Sequence, residues 1–174
     1  SQIELVSFAR GLFALYAEEK AKEKKLTFHF HTDREKIYIQ MDAIKLESIL
    51  DNLLSNAVKY TPEEGEITLR LQASDKEVHI SVSDTGIGVP RQDQPYVFQR
   101  FFQSPKTAGT KEGTGIGLYL VKTYTELHGG KVQLSSEENK GTAITLTLPV
   151  IAMEQPVVEV SPEIVSSDIE PVAA

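Results

Sequence analysis

Two asparagines and a lysine share one stripe of a segment that otherwise has the pattern of an amphipathic helix. In DNLLSNAVKYTP, residues 51–62, Asn52 and Asn56 stand four positions apart and Lys59 follows three positions later. At about 100° per residue, the three side chains lie on a narrow stripe at the border of the apolar face. Asparagine is a mediocre helix former, because its amide competes for nearby backbone groups. The stripe therefore suggests a purpose other than helix formation.

The residue types of this stripe suit a triphosphate and its magnesium ion. An amide oxygen is a neutral, hard ligand of the kind that Mg²⁺ accepts, so Asn52 and Asn56 are candidate metal ligands. Lys59 can bring a mobile positive charge to a phosphate oxygen, and Tyr60 offers an amphipathic ring to a sugar or base edge. A solvated helix face with the same residues is the alternative, and the segment alone favours that alternative.

A second polar cluster follows a strand pattern. The segment SVSDTGIGVP, residues 81–90, leads from alternating apolar residues into Asp84, Gly86 and Gly88. Glycine lets the backbone turn sharply and approach a flat ligand, because no side chain stands between them. A carboxylate at the end of the strand can accept hydrogen bonds from an exocyclic amine, which distinguishes adenine from guanine at this edge of the base. An ordinary turn that begins with aspartate is the alternative.

Three glycines precede a predicted helix in GTGIGL, residues 113–118. A helix N-terminus carries unpaired N–H groups and a partial positive charge, and glycine gives phosphate oxygens access to them. The segment lacks the Gly-Lys-Ser/Thr of a P-loop, and its spacing does not fit a dinucleotide fingerprint. Its candidate phosphate-binding residues are Gly113, Thr114, Gly115, Gly117 and Leu118.

The region between the glycine clusters combines aromatic residues with single cations. Three aromatic residues of VFQRFFQ are predicted to anchor the chain to the core: Phe98, Phe101 and Phe102. Arg100 stands among them, and a guanidinium fixed by neighbouring rings can be directed at a terminal phosphate. The next segment, SPKTAGTKE, has almost nothing to bury, so it is predicted to be mobile. Its Lys106 and Lys111 could close over the phosphates as a lid.

Hydrophobic periodicity predicts the elements that position these residues. Helices are expected over 3–24, over 43–60 with Asp42 as N-cap, and over 117–128 before Gly129 and Gly130. Strand pairs are expected with a turn between the members of each pair: 26–31 with 36–41, 66–72 with 77–83, and 130–136 with 142–150. This order predicts one layer of mixed sheet covered by helices.

Composition limits the remaining possibilities. A chain of 174 residues is about one domain, and the absence of cysteine excludes thiolate chemistry and disulfides. No apolar run approaches the roughly 20 residues that span a bilayer.

Residues 151–174 hold five of the 25 acidic side chains and none of the 18 Lys and Arg, so the rest of the chain is close to neutral. No broad basic surface for nucleic acid is expected. Residues 153–174, acidic and proline-containing, are predicted to be a tail or linker after a domain at 1–152.

In this order, the segments resemble the four boxes of the catalytic ATP-binding domain of bacterial sensor histidine kinases, in the GHKL superfamily. DNLLSNAVKY resembles the N box, DTGIGVP the G1 box, VFQRFF the F box and GTGIGL the G2 box. Each box alone is weak, whereas four in the right order are specific. The resemblance covers roughly residues 3–150. It implies the Bergerat fold, a two-layer α/β sandwich in which three main helices back a mixed, mostly antiparallel sheet.

The resemblance also implies roles for individual residues. Asn52 and Asn56 would hold Mg²⁺ and phosphates, Lys59 would contact phosphate, and Tyr60 would border the ribose and adenine. Asp84 would recognise the adenine amine, with Gly86 and Gly88 shaping its pocket. The G2 glycines would flank the phosphates and hinge the lid, which carries Lys106, and Arg100 would contact phosphate.

One position separates branches of this superfamily. The chaperone, topoisomerase and mismatch-repair ATPases carry a glutamate four residues before the N box asparagine, and that carboxylate activates water. Here the position is Asn52, which cannot accept a proton at neutral pH. Rapid hydrolysis is therefore disfavoured, and positioned transfer to an imidazole is favoured.

The expected function is transfer of the ATP γ-phosphate to a histidine that this chain does not supply. His29, His31 and His79 fall in strand patterns and His128 at a helix end, so the acceptor is expected on a separate dimerisation hairpin. A receiver domain is the other expected partner, possibly in the same chain after the tail. The chain is expected to be a cytoplasmic part of a membrane-anchored protein, with no membrane contact of its own. A serine kinase of the anti-sigma type and a docking module without transfer activity are the alternatives.

Overall fold

The structure, a computed structural model, describes residues 1–103, 115–154 and 163–165. The helices are α1 (Leu5–Lys24), α2 (Ala43–Tyr60) and α3 (Gly117–Leu127), with one 3₁₀ turn at Gln94–Tyr96. The first strands are β1 (Gln2–Glu4), β2 (Thr27–Thr32), β3 (Lys36–Gln40), β4 (Glu66–Ala73) and β5 (Glu77–Asp84). The later strands are β6 (Lys131–Glu137), β7 (Gly141–Pro149), β8 (Ala152–Glu154) and β9 (Glu163–Val165).

The main sheet has the strand order β6-β7-β5-β4-β2-β9. Its pairs are antiparallel except β2 with β4, which run parallel. Alternate side chains of the central strands are buried on one face, as period-2 patterning requires. On that face α1 packs against β2, α2 against β5, and α3 against β6 and β7. The predicted two-layer α/β sandwich with three main helices is confirmed.

Helix α2 is the central element of the helical layer and carries the polar stripe. It begins at the predicted N-cap, because the carboxylate of Asp42 accepts hydrogen bonds from the amides of Ile44 and Lys45. Its apolar face is buried through Leu46, Ile49, Leu50, Leu53, Leu54 and Ala57. The polar edge of α2, with Asn52, Asn56 and Lys59, lies beside the end of β5 and the start of α3.

A small second sheet departs from the prediction. Strand β3 pairs antiparallel with β1 on one side and β8 on the other, and β2 belongs to the main sheet. The predicted pairing of 26–31 with 36–41 is therefore wrong, although both segments are strands. The predicted start of the first helix at residue 3 is wrong as well, because Glu4 is its N-cap and Ile3 pairs with Ile39. Both differences come from partners distant in sequence, which local patterning does not show.

The segment predicted as a tail contributes two short strands. β8 pairs with β3, and β9 pairs antiparallel with β2 at the edge of the main sheet. The domain boundary at residue 152 stays a prediction. In the part of the chain that is described, no helix is long and apolar enough to cross a membrane.

Candidate functional site

A cavity of about 360 Å³ opens between α2, the end of β5 and the start of α3. Nine of the predicted site residues line it: Asn52, Asn56, Lys59, Tyr60, Asp84, Gly88, Gly115, Gly117 and Leu118. Its apolar wall includes Val82, Ile87, Val97, Phe102, Leu134 and Ile144. One helix edge and two turns that are distant in sequence therefore share one concave site, which is the arrangement that a small-molecule site requires.

The side chain of Asn52 is oriented by its own helix. Its amide nitrogen Nδ2 donates to the carbonyl oxygen of Ser48 at 2.7 Å. With Nδ2 engaged, the amide oxygen Oδ1 faces the first turn of α3, where a Cβ atom on Gly117 would lie 2.6 Å from it. Glycine at position 117 leaves room for this oxygen, whereas a larger residue would displace it. Asn52 therefore places a neutral oxygen beside the N-terminus of α3. The positive partial charge at that N-terminus favours binding of an anion next to the asparagine.

Asp84 is a buried carboxyl group at the end of β5. Its Oδ1 accepts hydrogen bonds from the backbone amides of Gly86, at 2.8 Å, and Thr142, at 3.3 Å. Burial raises the pKa of Asp84 above its ordinary value, and the two amide bonds offset part of that rise. Both bonds fall on Oδ1, so a ligand amine has Oδ2 as its acceptor.

Three glycines allow separate backbone segments to meet around Asp84. A Cβ atom on Gly86 would lie 2.4 Å from the carbonyl oxygen of Tyr60, and one on Gly88 would lie 2.1 Å from that of Glu137. A Cβ atom on Gly141 would lie 2.0 Å from the carbonyl oxygen of Asp84 itself. Gly88 lines the cavity and Gly86 does not, so the prediction that both shape a nucleotide pocket stays a prediction.

Backbone hydrogen bonds fix these segments to one another. The amide of Ile87 donates to the carbonyl oxygen of Tyr60 at 3.1 Å, which joins the turn after β5 to the end of α2. The amide of Asn139 donates to the carbonyl oxygen of Ile87 at 2.6 Å. The turn between β6 and β7 therefore supports the far side of the cavity.

Comparison with known proteins agrees with this geometry. Residues 41–152 match the family described as "Histidine kinase-, DNA gyrase B-, and HSP90-like ATPase". The chain belongs to this ATPase family. The match includes α2, the turn after β5 and the start of α3, which are the segments that line the cavity. The predicted family is confirmed, and the family match supports ATP binding by this domain.

Relatives of this ATPase domain are histidine kinases. The chain is 40% identical over 134 residues to the sensor histidine kinase WalK of Bacillus subtilis, covering 75% of this chain and 22% of WalK. It is 34% identical over 150 residues to histidine kinase P4 of Formosa agariphila, covering 84% of this chain and 11% of that protein. The chain thus spans less than a quarter of the length of these curated relatives.

Solved structures of histidine kinases share the fold of this ATPase domain. The catalytic domain of histidine kinase ThkA superposes with a TM-score of 0.75 at 28% identity, covering 86% of this chain and 96% of that domain. Full-length ShkA in complex with AMPPNP gives a TM-score of 0.76 at 28% identity, covering 91% of this chain and 32% of ShkA.

The aromatic segment of the ATPase domain differs in part from the prediction. Phe98 packs against the core and Phe102 lines the cavity, whereas Phe101 is 61% exposed. Phe101 has a φ of 65°, and its amide donates to the carbonyl oxygen of Gly115 at 2.8 Å. The prediction that Phe101 is anchored in the core is wrong, because this backbone turn directs its ring outward.

Arg100 lies beside two aromatic rings. It is exposed and is not among the residues that line the cavity. Its guanidinium lies 4.8 Å from the ring centre of Phe101 and 5.8 Å from that of Tyr119 in α3. The expected fixation by aromatic rings is present, and contact with phosphate stays a prediction. Lys106, Lys111, Gly113 and Thr114 lie outside the described residues.

Several residues around Asp84 were not found from the sequence, and of those described next Thr142 lines the cavity. Thr142 and Gly141 border Asp84, and no local motif distinguishes them from an ordinary strand start after a turn. Ser136 joins this group, because its hydroxyl accepts from the amide of Val89 at 2.8 Å and lies 2.9 Å from the hydroxyl of Thr142. His128 lies at the helix end as expected, as the C-cap of α3, with Nδ1 2.7 Å from the carbonyl oxygen of Tyr124.

Proposed function

We propose that this ATPase domain is the catalytic part of a sensor histidine kinase and transfers the γ-phosphoryl group of ATP to a histidine of a helical hairpin outside this chain. The observation that carries the proposal is which side chains α2 presents to the cavity, on the edge where the phosphates are proposed to bind. That edge presents the amides of Asn52 and Asn56 and the ammonium of Lys59, with no carboxylate among them.

The α2 edge and the start of α3 would bind the triphosphate. The fixed oxygen of Asn52 suits Mg²⁺, a hard cation that takes oxygen ligands, and Asn56 lies one turn away on the same cavity wall. The bound ion would neutralise charge on the phosphates. Lys59 would pair with a phosphate oxygen, and Arg100 and Lys106 are the other proposed phosphate contacts. Gly115 and Gly117 would leave room for the phosphates beside the amides of α3, and Gly113, Thr114 and Leu118 are the other proposed phosphate-binding residues.

Asp84 would select adenine. Its ionised carboxylate accepts a hydrogen bond from the exocyclic amine of adenine, whereas guanine carries a carbonyl oxygen at that edge and would face a second acceptor. Tyr60 would cover the base or the ribose, and Gly86 and Gly88 would shape the base pocket by letting the turn after β5 pack closely against the backbone of Tyr60 and Glu137. Specificity for ATP would therefore depend on one buried carboxyl group.

The transfer forms a bond between phosphorus and an imidazole nitrogen and breaks the bond from phosphorus to the bridging oxygen of ADP. The imidazole gives up its ring proton to solvent or to a base of its own domain. Neutral imidazole is already a nucleophile, so the site needs position and charge neutralisation more than a base. Asn52, in the place of a catalytic glutamate, would keep hydrolysis slow because it cannot activate water.

The proposed partners follow from this chemistry. The acceptor hairpin must bring its histidine to the open side of the cavity, and a receiver domain of a response regulator would then take the phosphoryl group. A complex of the related kinase ThkA with the response regulator TrrA supports the second step. We infer a cytoplasmic location, where ATP is available.

The deciding experiment mixes this chain with a separately purified dimerisation hairpin and γ-labelled ATP. Acid-labile, base-stable label on the hairpin's histidine is the expected result, with none when Asn56 is replaced by alanine. Acid-stable label on a serine would contradict the proposal, and so would nucleotide binding with no transfer over a range of hairpin concentrations.

A further inference from the structure

A lysine of α1 lies on the end of the helix that carries the ATP-binding edge. The ammonium nitrogen Nζ of Lys24 donates to the carbonyl oxygen of Val58 at 2.7 Å, to that of Lys59 at 3.3 Å and to that of Thr61 at 3.2 Å. Lys24 is the last residue of α1, and these acceptors belong to the last turn of α2 and its C-cap. Its three donor positions thus match three acceptors.

The last carbonyl groups of a helix have no partner within the helix, so each needs another donor. The hydroxyl of Thr61 donates to the carbonyl oxygen of Ala57 at 2.6 Å, and the amide of Ile87 donates to that of Tyr60. Lys24 supplies the others. A cation at this position also opposes the negative partial charge at the C-terminus of α2.

The turn held in this way carries two residues of the site. Lys59 and Tyr60 line the ATP cavity from the last turn of α2, and the ammonium of Lys59 lies 5.2 Å from the ring centre of Tyr60. On one side the turn is tied to α1 through Lys24, and on the other to the turn after β5 through Ile87. Loss of either tie would let the last turn fray, because helix ends are held mainly by such contacts.

A second contact ties α1 to α2 about two helical turns earlier. The hydroxyl of Tyr16 donates to the carbonyl oxygen of Asp51 at 3.3 Å, immediately before Asn52. Burial and the Asp51 carboxylate raise the pKa of Tyr16 to about 12, so the phenol keeps its proton at neutral pH. α1 therefore contacts the backbone of α2 beside the first and the last residues of the polar stripe.

We propose that Lys24 is a positioning residue of the ATP site, which holds the last turn of α2 so that Lys59 and Tyr60 meet the nucleotide. This inference rests on the proposed roles of Lys59 and Tyr60. Lys24 does not line the cavity, so it acts through the α2 backbone and not by touching ATP. A change in the position of α1 would accordingly change the affinity for ATP.

The test measures the affinity for MgATP by titration calorimetry in three variants of the whole chain. Lys24→Met keeps most of the aliphatic stem and removes the donors, and its dissociation constant is expected to rise about fivefold. Lys24→Arg, which keeps a cation with several donors, is expected to restore affinity to within about twofold. Lys22→Met, an exposed lysine of the same last turn, is expected to bind normally.

Two comparisons separate positioning from general stability. Val78→Ala removes core volume in β5 far from the α2 terminus, and at a melting temperature matched to that of Lys24→Met it is expected to keep normal affinity. In a Lys59→Met background, Lys24→Met is expected to have little further effect, because coupled residues are not additive.

The outcomes distinguish this inference from the proposed function. Normal binding by Lys24→Met, together with weak binding by Lys59→Met, overturns the role of Lys24 alone. Normal binding by Lys59→Met contradicts the proposed phosphate contact itself. An equal loss of affinity in Val78→Ala and Lys24→Met at matched melting temperature also overturns the positioning role.

Discussion

Asn52 and Gly117 approach each other so closely that a Cβ atom on the glycine would lie 2.6 Å from the amide oxygen of the asparagine. The contact joins the middle of α2 to the first residue of α3. The contact predicts that glycine at this position matters for the ligand, because a larger residue would displace the amide oxygen of Asn52. The same contact places the proposed metal ligand beside the proposed phosphate cradle.

Gly117→Ala should separate binding from folding. The added methyl group must displace the Asn52 side chain, so the affinity for MgATP should fall at least tenfold. Alanine is a better helix former than glycine by about 0.5–1 kcal/mol, so the melting temperature should not fall. Calorimetric titration and thermal unfolding measure the two effects.

The matched control is Gly11→Ala in the middle of α1, where a new Cβ atom would meet nothing within 4 Å. This variant should gain stability of the same order and bind MgATP as the unmodified chain does. If Gly117→Ala binds as tightly as Gly11→Ala, the closeness of Asn52 and Gly117 has no bearing on the nucleotide.

Asn56→Ala should weaken binding of ATP chiefly when magnesium is present. The amide oxygen of Asn56 is proposed to reach the ion, so its removal should cost about tenfold in MgATP affinity and little in the affinity for ATP in EDTA. Glu47→Ala, an exposed change on the same helix, is the control and should alter neither. Equal losses with and without magnesium would argue against a metal ligand at position 56.

Asp84→Asn should relax the choice of base. The replaced side chain keeps an acceptor for the amides of Gly86 and Thr142, so the turn should survive. Its NH₂ group in the place of Oδ2 would repel the adenine amine and accommodate a carbonyl oxygen, so the preference for ATP over GTP should shrink at least tenfold. Competition between the two nucleotides measures this ratio, and an unchanged ratio would remove Asp84 from base recognition.

The sequence predicted most of this site, because its chemistry is local in sequence. The stripe of α2, the aspartate after β5 and the glycines before α3 are each readable from a few residues, and the structure brings their described members to one cavity. Gly141 and Thr142 were not predicted, since they meet Asp84 only through the register of β5 with β7. Lys24 was missed for the same reason, because its acceptors lie more than 30 positions away.

The errors in the fold have a related cause. Alternation of apolar residues identified both β2 and β3 as strands, but it carries no information on the partner that each strand chooses. β2 lies parallel to β4, and β3 joins β1 and β8, so neighbouring segments entered different sheets. The outward ring of Phe101 likewise depends on a φ of 65°, which a bulky residue rarely adopts and a pattern of aromatics cannot show.

Lowering the pH should weaken ATP binding before it unfolds the protein. Burial raises the pKa of Asp84, so the carboxyl group takes up a proton at a higher pH than an ordinary aspartate does. The protonated form loses a charged acceptor for the adenine amine, and affinity should fall as the pH passes below this raised pKa. Titrations with ATP at successive pH values measure the effect, and Asp84→Asn should lack the corresponding step.

The stability contribution of the same group has the opposite sign. A carboxyl group whose pKa is higher in the folded state stabilises the fold below its unfolded pKa, and this contribution is lost as the pH rises through the folded value. Affinity and the contribution of Asp84 to stability should therefore move in opposite directions across this window. Parallel changes in both would mean that acid unfolding, and not protonation of Asp84, weakens binding.

Gly141→Ala should destabilise the domain through a contact and not only through backbone strain. Gly141 has a φ of 119°, and its added Cβ atom would lie 2.0 Å from the carbonyl oxygen of Asp84, between paired strands. Gly129→Ala supplies the comparison, because Gly129 also has a positive φ, 79°, while the nearest atom to its new Cβ, in Pro149, is 3.7 Å away. Strain at a left-handed position costs about 1–3 kcal/mol in either variant.

Denaturant unfolding should show a larger loss in the free energy of unfolding for Gly141→Ala than for Gly129→Ala. Gly141→Ala should also lose ATP binding, which Gly129→Ala should keep. Equal losses of stability would mean that β5 and β7 separate at low cost, and that Asp84 does not depend on this glycine for its position.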